Sequence, residues 1–316
     1  MRIRPWILAS TVCVALAASA ACLAAETPAA PAAAAIAKPP AGPSLEDIMK
    51  DPNRKVGFIR KTYTLADGTQ RIYQVWVPLD YTPARKWPVI LFLHGAGERG
   101  TDGEKVLVQG LPKEIKKRGG AFEFIVVIPQ CAGAGERAKE PAPAKAGQAD
   151  RATPAPATSA PATPAPAEAP KPRRGGWVDA DEEVAMGALR ATLKEYACDQ
   201  DRVYLTGLSL GGFGSFSFAA KFPKMWAAVV PICGGGQPDN AAAMSRLPFW
   251  VWHGADDKAV PPDMSRKMVE ALKAAGAKEV KYTEVPGVGH NSWDNAYASD
   301  ELWTWLLAHR LPAGAR

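Results

Sequence analysis

The chain has no apolar run long enough to cross a bilayer. A spanning helix takes about 20 predominantly apolar residues, and the longest run here, Trp6 to Leu16, stops well short of that. No stable membrane span is therefore expected. Cysteine is scarce, with five residues in 316, and no two stand in a Cys-x-x-Cys spacing, so no metal site is expected. Charge of one sign is equally lacking: the formal net charge of +6 is mild and its basic residues are scattered. Only Lys113, Lys116, Lys117 and Arg118 cluster, at the end of a segment that reads as a helix, where cations complement the helix dipole. No nucleic-acid partner is expected. Histidine is the scarcest of the candidate catalytic types, at four residues, so each can be weighed in turn as a base.

Three stretches lack the composition of a packed core. In residues 1–25, Arg2 and Arg4 precede the apolar run, and small residues lead to Leu23-Ala24-Ala25. This is the pattern of a secretory signal peptide. The protein is thus expected to be exported, periplasmic or secreted; a lipid anchor on Cys22 is disfavoured because Ser19 stands where an aliphatic residue is wanted. Loss of Arg2 and Arg4 with that segment takes the net charge from +6 to +4. Residues 26–43 and 132–174 are dominated by alanine and proline, which bury little area and remove backbone donors, so both read as disordered or extended spacers. One domain over 44–316, interrupted by the 132–174 insertion, remains. It holds Cys131, Cys198 and Cys233, enough for one disulfide and one free thiol in an oxidising compartment.

From Lys55 the pattern becomes regular. Val56 to Thr64 and Arg71 to Val77 read as strands joined across Ala66-Asp67-Gly68, a hairpin signal. Trp87 to Leu93, Phe124 to Pro129, Val203 to Thr206, Ala227 to Ile232 and Phe249 to Trp252 run apolar without alternation, as strands buried on both faces do. Helical segments lie between them at Asp179 to Tyr196 and Pro262 to about Ala275. A further strand at Val280 to Val285 is followed by a helix over Asp300 to His309. Such alternation predicts an α/β fold with a mostly parallel sheet, an N-terminal antiparallel hairpin and helices on both faces.

Gly207-Leu-Ser209-Leu-Gly211 follows the strand Arg202-Val-Tyr-Leu-Thr206 and precedes a helix-like run through Phe213, Phe216 and Phe218. This strand–turn–helix setting presents a serine hydroxyl on a sharp turn, which a side chain at either glycine would crowd. A serine hydroxyl needs a base, and in this setting the order along the chain is serine, acid, histidine. His94 and His253 each end a strand and precede a glycine, so they read as turn residues. His309 falls inside the terminal helix, as a surface residue. His290, in Val288-Gly-His-Asn-Ser-Trp293, lies in a loop past an acidic pair and is the candidate base. The acid is Asp256 or Asp257, adjacent in His253-Gly-Ala-Asp-Asp-Lys-Ala-Val-Pro261. An oxyanion needs two backbone donors. Leu210, after the serine, supplies one; in the loop His94-Gly-Ala-Gly-Glu-Arg-Gly100, Ala96 is the first candidate for the other and Gly97 the second. Glu98 and Arg99 read as a pair ordering that loop.

In these segments the chain resembles the α/β-hydrolase superfamily, and within it the bacterial esterases termed feruloyl-esterase-like, phospholipase/carboxylesterase-like or predicted peptidase. Leu93-His-Gly-Ala-Gly-Glu-Arg-Gly100, Pro129-Gln-Cys131, Asp201 to Gly212, His253-Gly-Ala-Asp-Asp257 and Gly289-His-Asn-Ser-Trp293 carry the likeness, in order, over nearly all of Lys55 to Arg310. The resemblance implies an α/β-hydrolase fold, with Asp257 as the acid. It implies an exported serine hydrolase that cleaves a small-molecule or polymer-linked carboxylic ester through an acyl-enzyme, without a cofactor. A serine peptidase of the same chemistry is the second reading, weakened because no gating domain is visible, and a non-catalytic binding protein the third. A dienelactone-type hydrolase, to which the chain is loosely similar, would carry cysteine as nucleophile, and the serine at 209 weighs against that reading. The insertion falls where similar proteins have a short loop leading to a tryptophan, here Trp177. Trp177 and Trp293 are candidate walls of a substrate pocket, or else core anchors. The oligomeric state is left open.

Overall fold

The computed structural model describes residues 44–119, 121–133 and 176–312. The expected signal segment, the 26–43 linker and all but the first two residues of the 132–174 insertion lie outside the described residues. In chain order the strands are β1 (Gly57–Thr64), β2 (Gln70–Val77), β3 (Trp87–Leu93), β4 (Ile125–Pro129), β5 (Cys198–Leu208), β6 (Ala228–Ile232), β7 (Phe249–Gly254) and β8 (Val280–Val285). They join one sheet in the order β1-β2-β4-β3-β5-β6-β7-β8. β1 and β2 form the expected hairpin, with Gly57 opposite Val77 and Thr64 opposite Gln70. β2 meets β4 antiparallel, and every pair from β4 to β8 is parallel.

The helices are α1 (Leu45–Lys50), α2 (Leu111–Lys117), α3 (Ala180–Glu195), α4 (Leu210–Lys221), α5 (Asp263–Ala274), α6 (Trp293–Ala298) and α7 (Asp300–Leu307), with a single helical turn at Ala241–Met244. Side chains alternate across a strand, and β3 shows what that does here. Val89, Leu91 and Leu93 join one cluster with Leu205, Ala185 and Leu189 of α3, Phe216 of α4 and Leu272 of α5. Ile90 and Phe92 join the opposite cluster with Val126, Tyr204, Leu111 and Ile115 of α2, Tyr297 of α6 and Trp303 of α7. Every residue of β3 is buried, because helices cover both faces. A continuous apolar run is the sequence form of that burial.

Four local expectations change. β5 begins at Cys198 rather than Val203, since Trp87 pairs with Cys198 before an irregularity that sets Val89 opposite Val203; the polar Asp199–Arg202 stretch hides this extension from an apolar pattern. α6, six residues long and directly after the His290 loop, is too short to show a period. The terminal helix ends at Leu307, so His309 lies past its end. There it is largely buried, with Nδ1 2.7 Å from Trp305 O and Nε2 3.0 Å from Glu279, and so is not a surface residue within the helix. Cys131, Cys198 and Cys233 are all buried, and the allowed disulfide does not form among them. The basic cluster on α2 ties helices together instead: Arg118 binds Glu114 at 3.0 Å and Asp300 at 2.8 Å, and Lys113 lies 3.4 Å from Asp294. No helix among the described residues is long and apolar enough to cross a membrane.

Candidate functional site

In a parallel sheet the loops after the strands share one edge, and ligands bind there. The loops after β3, β5, β6, β7 and β8 carry His94 to Gly100, Ser209, Cys233, Asp257 and His290 respectively. Ser209 stands between β5 and α4 with φ 52° and ψ −114°, a left-handed conformation that L-residues adopt at a cost of about 1–3 kcal/mol. Two bonds hold it: its N–H donates to Ile232 O at 2.9 Å, and its carbonyl accepts from Phe213 N at 3.1 Å. Gly211 permits the turn, because a Cβ there would overlap the Leu93 carbonyl at the end of β3. The strain is thus imposed by close packing of helix on strand.

His290 meets the serine from the loop after β8. Its Nε2 lies 2.9 Å from Ser209 Oγ, and its Nδ1 2.7 Å from Asp257 Oδ2. A carboxylate only accepts, so Nδ1 carries the proton and Nε2 presents its lone pair to the hydroxyl. The imidazole is part-exposed and the Asp257 side chain fully buried. Burial raises the Asp257 carboxyl, but hydrogen bonds from His290, Val260 N and Ala259 N outweigh it and hold the group below the ordinary carboxylate value. Between the two adjacent aspartates the geometry separates cleanly: Asp257 faces the imidazole, whereas Asp256 is exposed. His253, expected as a turn residue, donates Nε2–H to Val260 O at 2.8 Å and lies 2.7 Å from Ser265 Oγ through Nδ1. It thereby braces the loop that carries Asp257, and burial keeps it neutral by pushing its pKa down.

The loop after β3 abuts Ser209: a Cβ built on Gly95 would lie 3.6 Å from the Ser209 Cβ. Ala96 opens a single 3-10 turn, Ala96–Glu98, and Leu210 opens α4. First-turn amides of a helix have no intrahelical acceptor, which leaves them for a ligand. His94 underpins this loop. Its Nε2 accepts from Cys131 N at 2.9 Å, so Nδ1 carries the proton and donates to Gly95 O at 2.6 Å. Complete burial, partly offset by the Gly95 carbonyl, pushes this imidazole down to about 4. Gln130 adds a second tie, donating to Glu98 O at 3.0 Å and accepting from Gly103 N at 2.6 Å. Burial raises the Glu98 carboxyl, opposed by the backbone N–H groups of Gly95 and Glu98.

The two tryptophans part company. Trp177 is 2% exposed; its ring meets His94 edge-on at 4.9 Å and its N–H donates to His94 O at 3.3 Å. It is a core anchor beneath the loop and not a pocket wall, because the apolar end of α4 and Leu93 close over it. Trp293 is half-buried and stands edge-on to His290 at 5.4 Å, beside the reacting groups. Sequence reasoning missed Cys233, whose thiol lies 3.3 Å from Ser209 N. It also gave Gln130 no role, although Pro129-Gln-Cys131 carries part of the likeness. Neither residue has a pattern of its own, since each acts through contacts made across the sheet edge.

Fold and site together define the α/β-hydrolase class, with Ser209, His290 and Asp257 in contact at one sheet edge. The model of the dienelactone hydrolase family matches residues 81–298, and the chain belongs to that family. The serine at 209, which weighed against a dienelactone-type reading, therefore does not place the chain outside that family. Among curated proteins, Probable feruloyl esterase C of Aspergillus flavus is 28% identical over 127 residues, covering 39% of this chain and 47% of that one. Esterase LipC of Mycobacterium tuberculosis is 44% identical over 53 residues, 17% of this chain and 13% of that one. The chain thus matches under half the length of these relatives. Among solved structures, a thermostable esterase superposes with a TM-score of 0.62 at 28% identity, over 80% of this chain and 63% of that one. The feruloyl esterase module of Clostridium thermocellum superposes at 0.54 with 16% identity, over 84% and 92%, a likeness of fold alone.

Proposed function

We propose that the protein is an exported serine hydrolase that cleaves carboxylic esters. The observation that carries this reading is the continuous chain of contacts from Asp257 Oδ2 through His290 to Ser209 Oγ, at 2.7 and 2.9 Å. In the first half-reaction Ser209 Oγ attacks the ester carbonyl as Nε2 takes its proton. The tetrahedral oxyanion accepts hydrogen bonds from the Leu210 and Ala96 amides, each contributing about 3 kcal/mol to the transition state. Collapse expels the alcohol, which takes the proton back from His290. Water then repeats the sequence on the acyl-enzyme and releases the acid. Asp257 stays ionised throughout, holding the imidazole tautomer and stabilising its charged form. Trp293 walls the acyl or alcohol side next to His290. The names of the esterase relatives support an ester over an amide as the scissile bond.

The test sets a short-chain aryl ester, a feruloyl ester and a peptide anilide side by side, with wild type and Ser209→Ala. Ester turnover that vanishes in the variant while the anilide stays intact is the expected result. Cleavage of the anilide alone would make the protein a peptidase instead. Failure of Ser209 to label with a fluorophosphonate would overturn the nucleophile assignment.

A further inference from the structure

Cys233 follows β6 at the same sheet edge as the triad and takes φ 41°, one of three described non-glycine residues at positive φ, with Asp179 and Ser209. Its amide donates to Trp252 O at 2.8 Å, and the turn aims its thiol at the back of the triad, 3.3 Å from Ser209 N. That contact is not needed to satisfy the serine amide, which already donates to Ile232 O at 2.9 Å. The Cys233 sulfur, an Asp257 carboxylate oxygen and a His290 ring nitrogen all lie within 4.8 Å of one another. Beside the thiol lies the hydroxyl of the fully buried Ser292, within hydrogen-bonding reach of the sulfur.

A thiolate, an imidazole and a carboxylate with one position left open form the donor set that Zn²⁺ favours, with bonds of about 2.0–2.3 Å. Tetrahedral placement on such bonds sets ligand atoms about 3.3–3.8 Å apart, a spacing inside the 4.8 Å limit that the three atoms share. Ca²⁺ and Mg²⁺ take oxygen donors and have no use for the sulfur. We infer that Cys233, Asp257 and His290 form a binding site for a thiophilic divalent cation, with Zn²⁺ as the type, and that its occupation switches the hydrolase off. On binding, the Cys233 S–H bond breaks, a sulfur–zinc bond forms, and the proton leaves to solvent. The ion engages the imidazole and the carboxylate together, so Ser209 loses its base. The loss of activity rests on the serine-hydrolase reading; the binding itself does not.

The experiment uses the full chain in metal-free buffer. Equilibrium dialysis counts bound Zn²⁺, and Co²⁺ reports sulfur ligation through its thiolate charge-transfer absorption. One ion per chain and a cobalt–thiolate band are expected in wild type, in Ser209→Ala, and in Cys198→Ala, which alters a thiol at the opposite sheet edge. Both signals are expected to be lost in Cys233→Ala, and in Cys233→Ser if the alanine variant fails to fold. At Zn²⁺ about ten times its Kd, mass action leaves about one chain in ten free, so ester turnover falls about tenfold and returns with a chelator. Rates are compared with each variant's own zinc-free rate. A cobalt–thiolate band that survives in both Cys233 variants, or no ion bound by wild type, overturns the site. Full turnover with the ion bound overturns the inhibition. A protein that binds zinc as expected but hydrolyses no ester without it leaves the site standing and removes the esterase reading.

Discussion

Ser209 Oγ and Asp257 Oδ2 each meet the His290 ring at one nitrogen, so single substitutions should separate them from their neighbours. Asp257→Asn keeps the shape but reverses the hydrogen-bond logic at His290 Nδ1, and turnover should fall about 10⁴-fold. Asp256→Asn, at an exposed carboxyl one residue away, should leave turnover close to wild type. Steady-state rates on one aryl ester decide both, and equal losses would show that the acid had been misassigned. Gly211→Ala should act on stability first. Its added methyl would overlap the Leu93 carbonyl, and overpacking of this kind costs about 1–3 kcal/mol or more, readable as a lower denaturant midpoint. Both aspartates are visible in the sequence, yet only one reaches the histidine. Local pattern does not separate adjacent identical residues; the resemblance to α/β-hydrolases points to Asp257, and the turn of the loop after β7 brings that residue to His290.

The loop after β3 depends on the elements beneath it. Trp177 fills space between His94, Leu93 and α4, whereas Trp293 borders the reacting groups. Trp177→Ala should therefore cost about 3–5 kcal/mol of stability and lower kcat as the loop loses its floor. Trp293→Ala should raise KM with a smaller loss of stability. Denaturant melts and Michaelis profiles of the two variants test this contrast, and a KM effect confined to Trp177→Ala would reverse the assignment. Asp181, at the start of α3, lies 3.6 Å from the buried Arg71 and accepts from Ala132 N at 2.9 Å. Removing one partner of a buried pair costs about 3–5 kcal/mol, the loss expected for Asp181→Ala.

Several buried ionisable groups push the whole molecule's stability the same way. His94 titrates near 6.5 when unfolded and at about 4 when folded, so between these values the unfolded chain binds a proton that the native state refuses. Its contribution is complete above about pH 6.5 and is lost as the pH falls toward 4, by about 3 kcal/mol. His253, pushed down by burial, adds to the loss, and Asp257, held below 3.8, extends it to still lower pH. Denaturant melts between pH 7 and 4.5 should show falling stability, with a shallower fall in His94→Asn; a flat profile in wild type would contradict the buried neutral imidazole. For export, N-terminal sequencing of protein recovered from outside the cytoplasm of a bacterial host should begin at Glu26, and recovery of intact Met1 there would exclude the cleaved signal.

The sheet and the pairing of Ser209 with His290 were legible in the sequence because they rest on local signals: apolar runs of strand length, a Gly-x-Ser-x-Gly turn, and chain order. Burial on both faces leaves every residue of β3 apolar, and a nucleophile turn needs its own glycines. Other features became visible only in three dimensions. Trp177 beneath the loop, His309 paired with Glu279, three separate thiols, and Cys233 behind Ser209 each depend on which strand ends share an edge. Secondary structure follows from short-range periodicity, but the company a buried side chain keeps is settled by the crossover connections that bring distant loops together.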